Sequence, residues 1–308
     1  MQIGTQYSFE RAIAQMRTLS GNAARLQDQV TSGKRVTSPS VDPLASARLT
    51  LLARKNSNET QFASNVTLAS SLLGQADVAL EGVQTQIQRA AELALRASND
   101  TMNDSDRAAI GIELQAIVDD LLTLANSSDI RGASLFGGAS TGQAFVRNPD
   151  GSVSYAGQGD PPPIPIGDNV SIAATDSGER IFTGIDSGSG PRDLFAIVST
   201  LAAALQAGSA PDPAALRDAI NEGIAGLNAA SEHIASARAS VGARGARLDL
   251  ESERLAQLKN ENEIERTGLE GVDMQSSIAE LQQNLLTLQA TQASFAKLSQ
   301  LSLFDYLR

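Results

Sequence analysis

Residues 9–30 read FERAIAQMRTLSGNAARLQDQV, and apolar side chains recur in this stretch at steps of four and three. Residues at this spacing lie on one face of an α-helix and form the seam of a coiled coil. The stretch therefore predicts an N-terminal helix that needs a partner along its whole length. Its predicted seam contains Phe9, Ile13, Met16, Leu19, Leu26 and Val30, with the small residue Ala23 between Leu19 and Leu26.

The other end of the chain repeats the pattern in residues 278–298, IAELQQNLLTLQATQASFAKL. Only the polar Gln292 interrupts the stripe. Because neither terminal stripe has another obvious partner, we expect the two helices to pair and to provide the partner interface of the protein. The C-terminal part of this predicted interface contains Ile278, Leu281, Leu285, Leu288, Phe295, Leu298, Leu301 and Phe304.

Composition limits the class of protein. The 308 residues include no Trp, three Tyr and eight Phe, which are few aromatic side chains for one large globular core. Long, narrow helical bundles suit such a composition better. The net charge of -11 argues against a nucleic-acid partner, because a phosphate backbone requires a basic surface. No run of about 18 apolar residues occurs, so we expect no membrane span, and no secretory signal peptide is visible at the N-terminus.

Long helices are predicted on both sides of the middle of the chain. Asp42-Pro43 and Asp212-Pro213 each read as an N-cap followed by the first helical residue. After the first signal, apolar residues recur at steps of four and three over 62–94, and after the second they recur at sevens over 227–255. A further helix is predicted to begin at Ser105. Helices of this length indicate an elongated molecule.

Residues 131–190 differ in kind, because they hold half of the prolines and nearly half of the glycines. Phe145-Val146-Arg147 and Val153-Ser154-Tyr155 flank Asn148-Pro149-Asp150-Gly151, a turn sequence that predicts a β-hairpin. Apolar and polar residues alternate again from Val170 to Ala174, which is typical of a half-buried strand. This region predicts one small β-rich domain inserted between helices.

The sequence thus predicts a mainly α fold: an elongated antiparallel bundle of long helices formed by both chain ends, with one small inserted β-rich domain. We expect an N-terminal assembly helix and turn over 1–40 and a C-terminal assembly helix over 270–308. A rod domain of long helices would occupy 41–130 and 191–269, and the β-rich surface domain 131–190.

No residue pattern indicates chemistry. His233 is the only histidine and cysteine is absent, so we expect no catalytic, cofactor-binding or metal-binding residue. Asp150-Gly151 lacks the spacing of a calcium loop and predicts a turn. Gly33-Lys34-Arg35 lacks the upstream glycine and following hydroxyl of a nucleotide-binding loop. It predicts a solvated helix end with cations near the helix dipole, or cations that meet an acidic neighbour in a polymer.

Several segments resemble a known family. Residues 26–45, LQDQVTSGKRVTSPSVDPLA, resemble a turn of the bacterial flagellar hook-associated proteins and, more loosely, of flagellin. Residues 124–138 look like the exit from the helices in that family, and the tail 294–307, SFAKLSQLSLFDYL, is similar to the ending of its junction members. The chain departs from the family at Val41, where Asp is frequent, and at Phe295, where Tyr is common.

The resemblance implies a structural subunit of the bacterial flagellum that joins the hook to the filament. Its implied partners are other copies of itself in a ring, the first hook-associated protein, flagellin, and a flagellar export chaperone before secretion. The implied location is the hook-filament junction outside the cell, reached through the flagellar type III export channel. No enzyme activity or cofactor is implied.

Two alternatives remain open from the sequence. The first is a flagellin-type filament subunit, which shares the helical plan. The second is a surface adhesin or glycan-binding module carried by the β insert, which would require an exposed aromatic platform. Phe145, Tyr155 and Phe182 are the aromatic residues available for it.

Overall fold

The computed structural model describes the backbone of residues 2–186, 190–209 and 212–306, while the side chains of residues 2–6, 8 and 298–306 lie outside this description. The predicted mainly α class is confirmed, with long helices at both ends and a small strand-containing region in the middle. Within the described ranges the helices are α1 (Gln2–Ser32), α2 (Pro43–Ala97), α3 (Asp104–Ala125), α4 (Gly178–Phe182), α5 (Leu194–Ala207), α6 (Pro213–Glu270) and α7 (Met274–Tyr306).

The strands of the described residues form three separate antiparallel pairs. The predicted hairpin is confirmed: β1 (Phe145–Arg147) pairs with β2 (Val153–Tyr155), and Phe145 lies opposite Tyr155. Gly151 in its turn has a φ of 87°, a conformation that glycine adopts without strain. The other two pairs are β3 (Ile164–Gly167) with β4 (Val170–Ile172) and β5 (Ile185–Asp186) with β6 (Pro191–Arg192).

Capping signals read from the sequence begin the long helices. The Asp42 carboxylate accepts a hydrogen bond from the backbone N–H of Ala45 at 3.0 Å, and α2 begins at Pro43. Asp212 accepts from the N–H of Ala214 at 2.9 Å in the first turn of α6. At the other end of α1, Gly33 has a φ of 68° and ends the helix as a left-handed residue.

The chain divides into two compact units, Met1–Asn58 with Ala256–Arg308 and Glu59–Leu255. In the second unit both predicted seams are buried. The heptad positions of α6 are at most 5% exposed, and they are Leu227, Ile234, Val241, Leu248 and Leu255. Of the predicted α2 seam, Phe62 is partly buried and the following positions from Val66 to Ala94 are buried. The strand pairs belong to this same unit.

An aromatic cluster completes the core of the second unit. Phe145 of β1 contacts Phe182 of α4 with ring centroids 5.3 Å apart, and Phe195 of α5 at 5.1 Å. Phe136 packs edge-on against Phe182 at 5.4 Å. All four Phe rings are at most 1% exposed, so the strands and the helices share one hydrophobic core.

In the first unit, α1 and α7 pack side by side in opposite directions. Phe9 near the start of α1 meets Phe295 in α7 in an edge-to-face contact with centroids 5.3 Å apart. At the other end of the pair, Lys34 lies opposite Gly271 in an antiparallel bridge. None of the described helices is both long and apolar enough to cross a membrane.

Candidate assembly surface of the terminal helices

The predicted seam of α1 lies against α7 for most of its length. Leu26 is 2% exposed, and Phe9, Met16, Leu19 and Val30 are half-buried. Ile13 is an exception, since it is exposed at 39%. The helix therefore places its predicted residues on one face, with Ile13 at the edge of that face.

The predicted stripe of α7 separates into two groups. One group is half-buried and spaced seven residues apart, and it contains Leu281, Leu288 and Phe295. Ile278 and Leu285 are 40% and 43% exposed. The side chains of three further predicted residues lie outside the described part of the chain, and these are Leu298, Leu301 and Phe304.

Polar residues complete the inward face of α7, and sequence reasoning missed them. Ser277 is 8% exposed, and Asn284 and Thr291 are half-buried. Together with Leu281 and Leu288 they continue a spacing of four and three. The sequence pattern did not indicate them because they are polar. Ile278 and Leu285, each one position further along, are apolar and form a neighbouring stripe that the pattern favoured.

We call the exposed group Met274, Ile278 and Leu285 the α7 flank. Met274 is 42% exposed. On a helix with 3.6 residues per turn these three positions lie beside the inward face and on one line. The flank is thus an apolar strip that α1 leaves accessible in the described structure.

At the base of the helix pair, the Gly33-Lys34-Arg35 segment makes contacts within the chain. The Lys34 ammonium lies 3.2 Å from a carboxylate oxygen of Glu270, and the Arg35 guanidinium lies 3.1 Å from the Asp42 carboxylate. The cations therefore approach the end of α6 and the start of α2, and both side chains remain about half exposed.

The candidates for chemistry read from the sequence make structural contacts in the described part of the chain. Among the described residues, no group of three or more His, Asp or Glu side chains could hold a metal ion. His233, the only histidine of the sequence, has a structural contact, because its Nε2 atom lies 3.0 Å from the carbonyl oxygen of Arg180. The Asp150 carboxylate accepts hydrogen bonds from Ser152 within its own turn, as expected for a turn.

The aromatic residues of the insert form no exposed platform. Phe145 and Phe182 are at most 1% exposed. Tyr155 is half-buried, and its hydroxyl donates to the carbonyl oxygen of Phe136 at 3.3 Å. A sugar ring would need an open aromatic face for stacking, and these three side chains do not supply one.

The sequence profile of the bacterial flagellin N-terminal helical region matches residues 3–141, and the profile of the bacterial flagellin C-terminal helical region matches residues 224–307. Together the two matches cover most of the chain, including both terminal helices. The chain belongs to the bacterial flagellin family.

Within this family, the similarity extends over the full length to flagellar hook-associated proteins. Flagellar hook-associated protein 3 of Salmonella typhimurium is 28% identical over the whole of both chains. The crystal structure of flagellar hook associated protein-3 from Legionella pneumophila covers 71% of this chain and 98% of its own, with a TM-score of 0.68 and 17% identity, and so shows the shared fold. A flagellin of Clostridium tyrobutyricum is 28% identical, but over 46% of this chain and 38% of that protein.

Proposed function

We infer that this chain is a structural subunit of the hook-filament junction of the bacterial flagellum, and not an enzyme. The observation that carries the inference is the end-to-end similarity to flagellar hook-associated protein 3. We propose that one side of the assembled subunit contacts the first hook-associated protein and that the other side receives flagellin.

The α7 flank supports assembly through the chain ends. Fully burying a side chain of this size contributes about 1.5–3 kcal/mol, so covering the remaining exposed part of Ile278 or Leu285 contributes roughly 1 kcal/mol per residue. We propose a second copy of the chain as the partner on this flank, in a ring of subunits. The same strip is a candidate surface for an export chaperone before secretion through the flagellar channel.

The two alternatives have less support. A filament subunit would be expected to match individual flagellins along its whole length, whereas the flagellins of Clostridium tyrobutyricum and Listeria monocytogenes match 46% and 47% of this chain. A glycan-binding insert would need exposed aromatic rings, and Phe145 and Phe182 are buried.

Immunogold labelling of purified flagella tests the proposal. An antibody against residues 131–190 should place gold at one position per flagellum, between hook and filament. A matched antibody against flagellin provides the control and should label the filament along its length. Continuous filament labelling by the first antibody would identify a filament subunit and refute the junction role.

A further inference from the structure

The two covalent connections between the terminal helix pair and helices α2 and α6 run side by side at one level of the first unit. Residues 33–42 connect α1 to α2, and residues 271–273 connect α6 to α7. Besides the Lys34–Gly271 bridge, the backbone N–H of Val272 donates to the carbonyl oxygen of Gly33 at 3.3 Å. The two connections therefore contact each other directly at this level.

Arg35 contacts three of the four helices that meet there. Its guanidinium donates to the Asp42 carboxylate at the start of α2 and to the carbonyl oxygen of Leu269 in the last turn of α6, both at 3.1 Å. Its backbone N–H donates to the carbonyl oxygen of Glu270 at 2.6 Å. Its own carbonyl oxygen accepts from the side-chain amide of Gln29 in α1 at 2.9 Å, and Gln29 is 5% exposed.

Elementary electrostatics explains why a guanidinium is placed here. The last carbonyl groups of a helix have no partner within it and carry the negative end of its dipole. Leu269 and Glu270 supply two such carbonyl groups, and Asp42 adds a full negative charge beside them. A planar guanidinium can bond to the carboxylate and the carbonyl oxygen at once, whereas an ammonium is a single point charge.

A second arginine in the same unit provides the comparison. Arg48 of α2 forms two hydrogen bonds to the Glu265 carboxylate of α6, at 2.5 and 3.0 Å. The exposed fractions of the two arginine side chains are similar, 45% for Arg35 and 54% for Arg48. The Arg48 pair joins α2 to α6 only, so loss of Arg48 removes a comparable surface ion pair without touching α1.

We propose that Arg35 is a positioning residue that fixes the terminal helix pair to α2 and α6, so that mechanical load on the assembled pair passes into the rest of the subunit. The proposal rests on the proposed function, because load on the pair presupposes assembly at a junction. It goes beyond that function by assigning the transmission of load to one side chain. Exposed ion pairs usually contribute little, but here the guanidinium adds bonds to the start of α2 and the end of α6 at a residue whose backbone already bonds to α6 and α1.

Shear resistance of filaments tests the proposal. A strain that lacks the gene is complemented with the wild-type chain, Arg35→Ala, Arg35→Lys, Asp42→Asn or Arg48→Ala, and filaments per cell are counted by electron microscopy before and after calibrated shear. Asp42→Asn removes the charged partner while Asn retains an N-cap for α2. Immunoblots of sheared flagella establish how much of each variant is assembled.

We expect Arg35→Ala to retain about tenfold fewer filaments after shear than wild type, the factor that corresponds to loss of two charge-assisted hydrogen bonds. Arg35→Lys keeps a cation but not the planar fork, so it should also retain fewer filaments than wild type. The number of filaments that Asp42→Asn retains should lie between the numbers for wild type and Arg35→Ala, and Arg48→Ala should retain as many as wild type. Wild-type retention by Arg35→Ala would overturn the proposal, as would an equal loss in Arg48→Ala. If Arg35→Ala is not assembled, wild-type retention by Asp42→Asn overturns it. Normal filaments in the strain without the gene would instead refute the junction role itself.

Discussion

Two glycines inside helices of the second unit lead to opposite predictions for the same substitution. A Cβ atom added at Gly111 in α3 would lie 2.8 Å from the carbonyl oxygen of Ala202 in α5. A Cβ added at Gly74 in α2 would have no neighbour within 4 Å. We therefore expect Gly111→Ala to lower the free energy of unfolding and Gly74→Ala to raise it.

The magnitude follows from two opposing effects. Alanine is favoured over glycine in a helix interior by about 0.8–1 kcal/mol, and at Gly74 this is the whole effect. At Gly111 the same gain is set against overpacking, which costs about 1–3 kcal/mol, because a backbone carbonyl of α5 cannot rotate away as a side chain can. The difference between the two variants should therefore be about 1–3 kcal/mol.

Thermal unfolding of the full-length variants, followed by circular dichroism, measures the difference. For a unit of 150–250 residues, 1 kcal/mol corresponds to a shift in Tm of about 2–4 °C. The Tm of Gly74→Ala should lie above that of wild type, and the Tm of Gly111→Ala several degrees below that of Gly74→Ala. If the two variants have the same Tm, α3 and α5 do not meet closely at Gly111 and the packing described above is wrong.

Three further outcomes are expected. Burial raises the pKa of Asp129, but hydrogen bonds from Arg131 and from backbone N–H groups outweigh burial and leave the pKa below its usual range. The ionised Asp129 therefore stabilises the fold above pH about 4, and this contribution is lost as pH falls through the lowered pKa. Asp129→Asn should then flatten the fall in Tm between neutral and acid pH. Phe182→Ala should lower the free energy of unfolding by about 3–5 kcal/mol in urea titrations, whereas Val146→Ala, at a side chain 41% exposed, should change it little. Leu285→Asp should leave the circular dichroism spectrum unchanged and abolish filament attachment in a complemented strain; normal motility of that variant would show that the α7 flank is not an interface.

The parts of the fold that the sequence predicts are those set by local chemistry. Asp42-Pro43 and Asp212-Pro213 begin helices because a carboxylate cap and a proline both act within one turn. The heptad positions of α6 are buried because an apolar residue recurs every two helical turns over 227–255. In such segments propensity, capping and periodicity all indicate the same structure.

What the sequence did not reveal depends on contacts between distant segments. Phe136 lies in the irregular segment after α3, Phe145 in β1 and Phe195 in α5, and their shared core appears only when these segments pack. The tight contact at Gly111 likewise depends on the position of α5. The sequence did not indicate which positions of α7 face α1, because Ser277 and Asn284 on the inward face are polar. The neighbouring apolar residues Ile278 and Leu285 matched the expected seam spacing better.

The alternation of apolar and polar residues on the inward face of α7 indicates which parts of the chain provide stability and which are suited to assembly. The second unit has its own core of heptad residues and aromatic rings, so we expect it to fold without the terminal helices. The inward face of α7 alternates Leu281 and Leu288 with Ser277 and Asn284, and a polar position buries less apolar area per turn than a leucine does. The α1–α7 pair is therefore weaker per turn than an all-leucine seam, while the α7 flank remains exposed beside it. In the proposed assembly, another chain covers the α7 flank and adds the apolar burial that the pair lacks, while Arg35 holds the terminal helices in place.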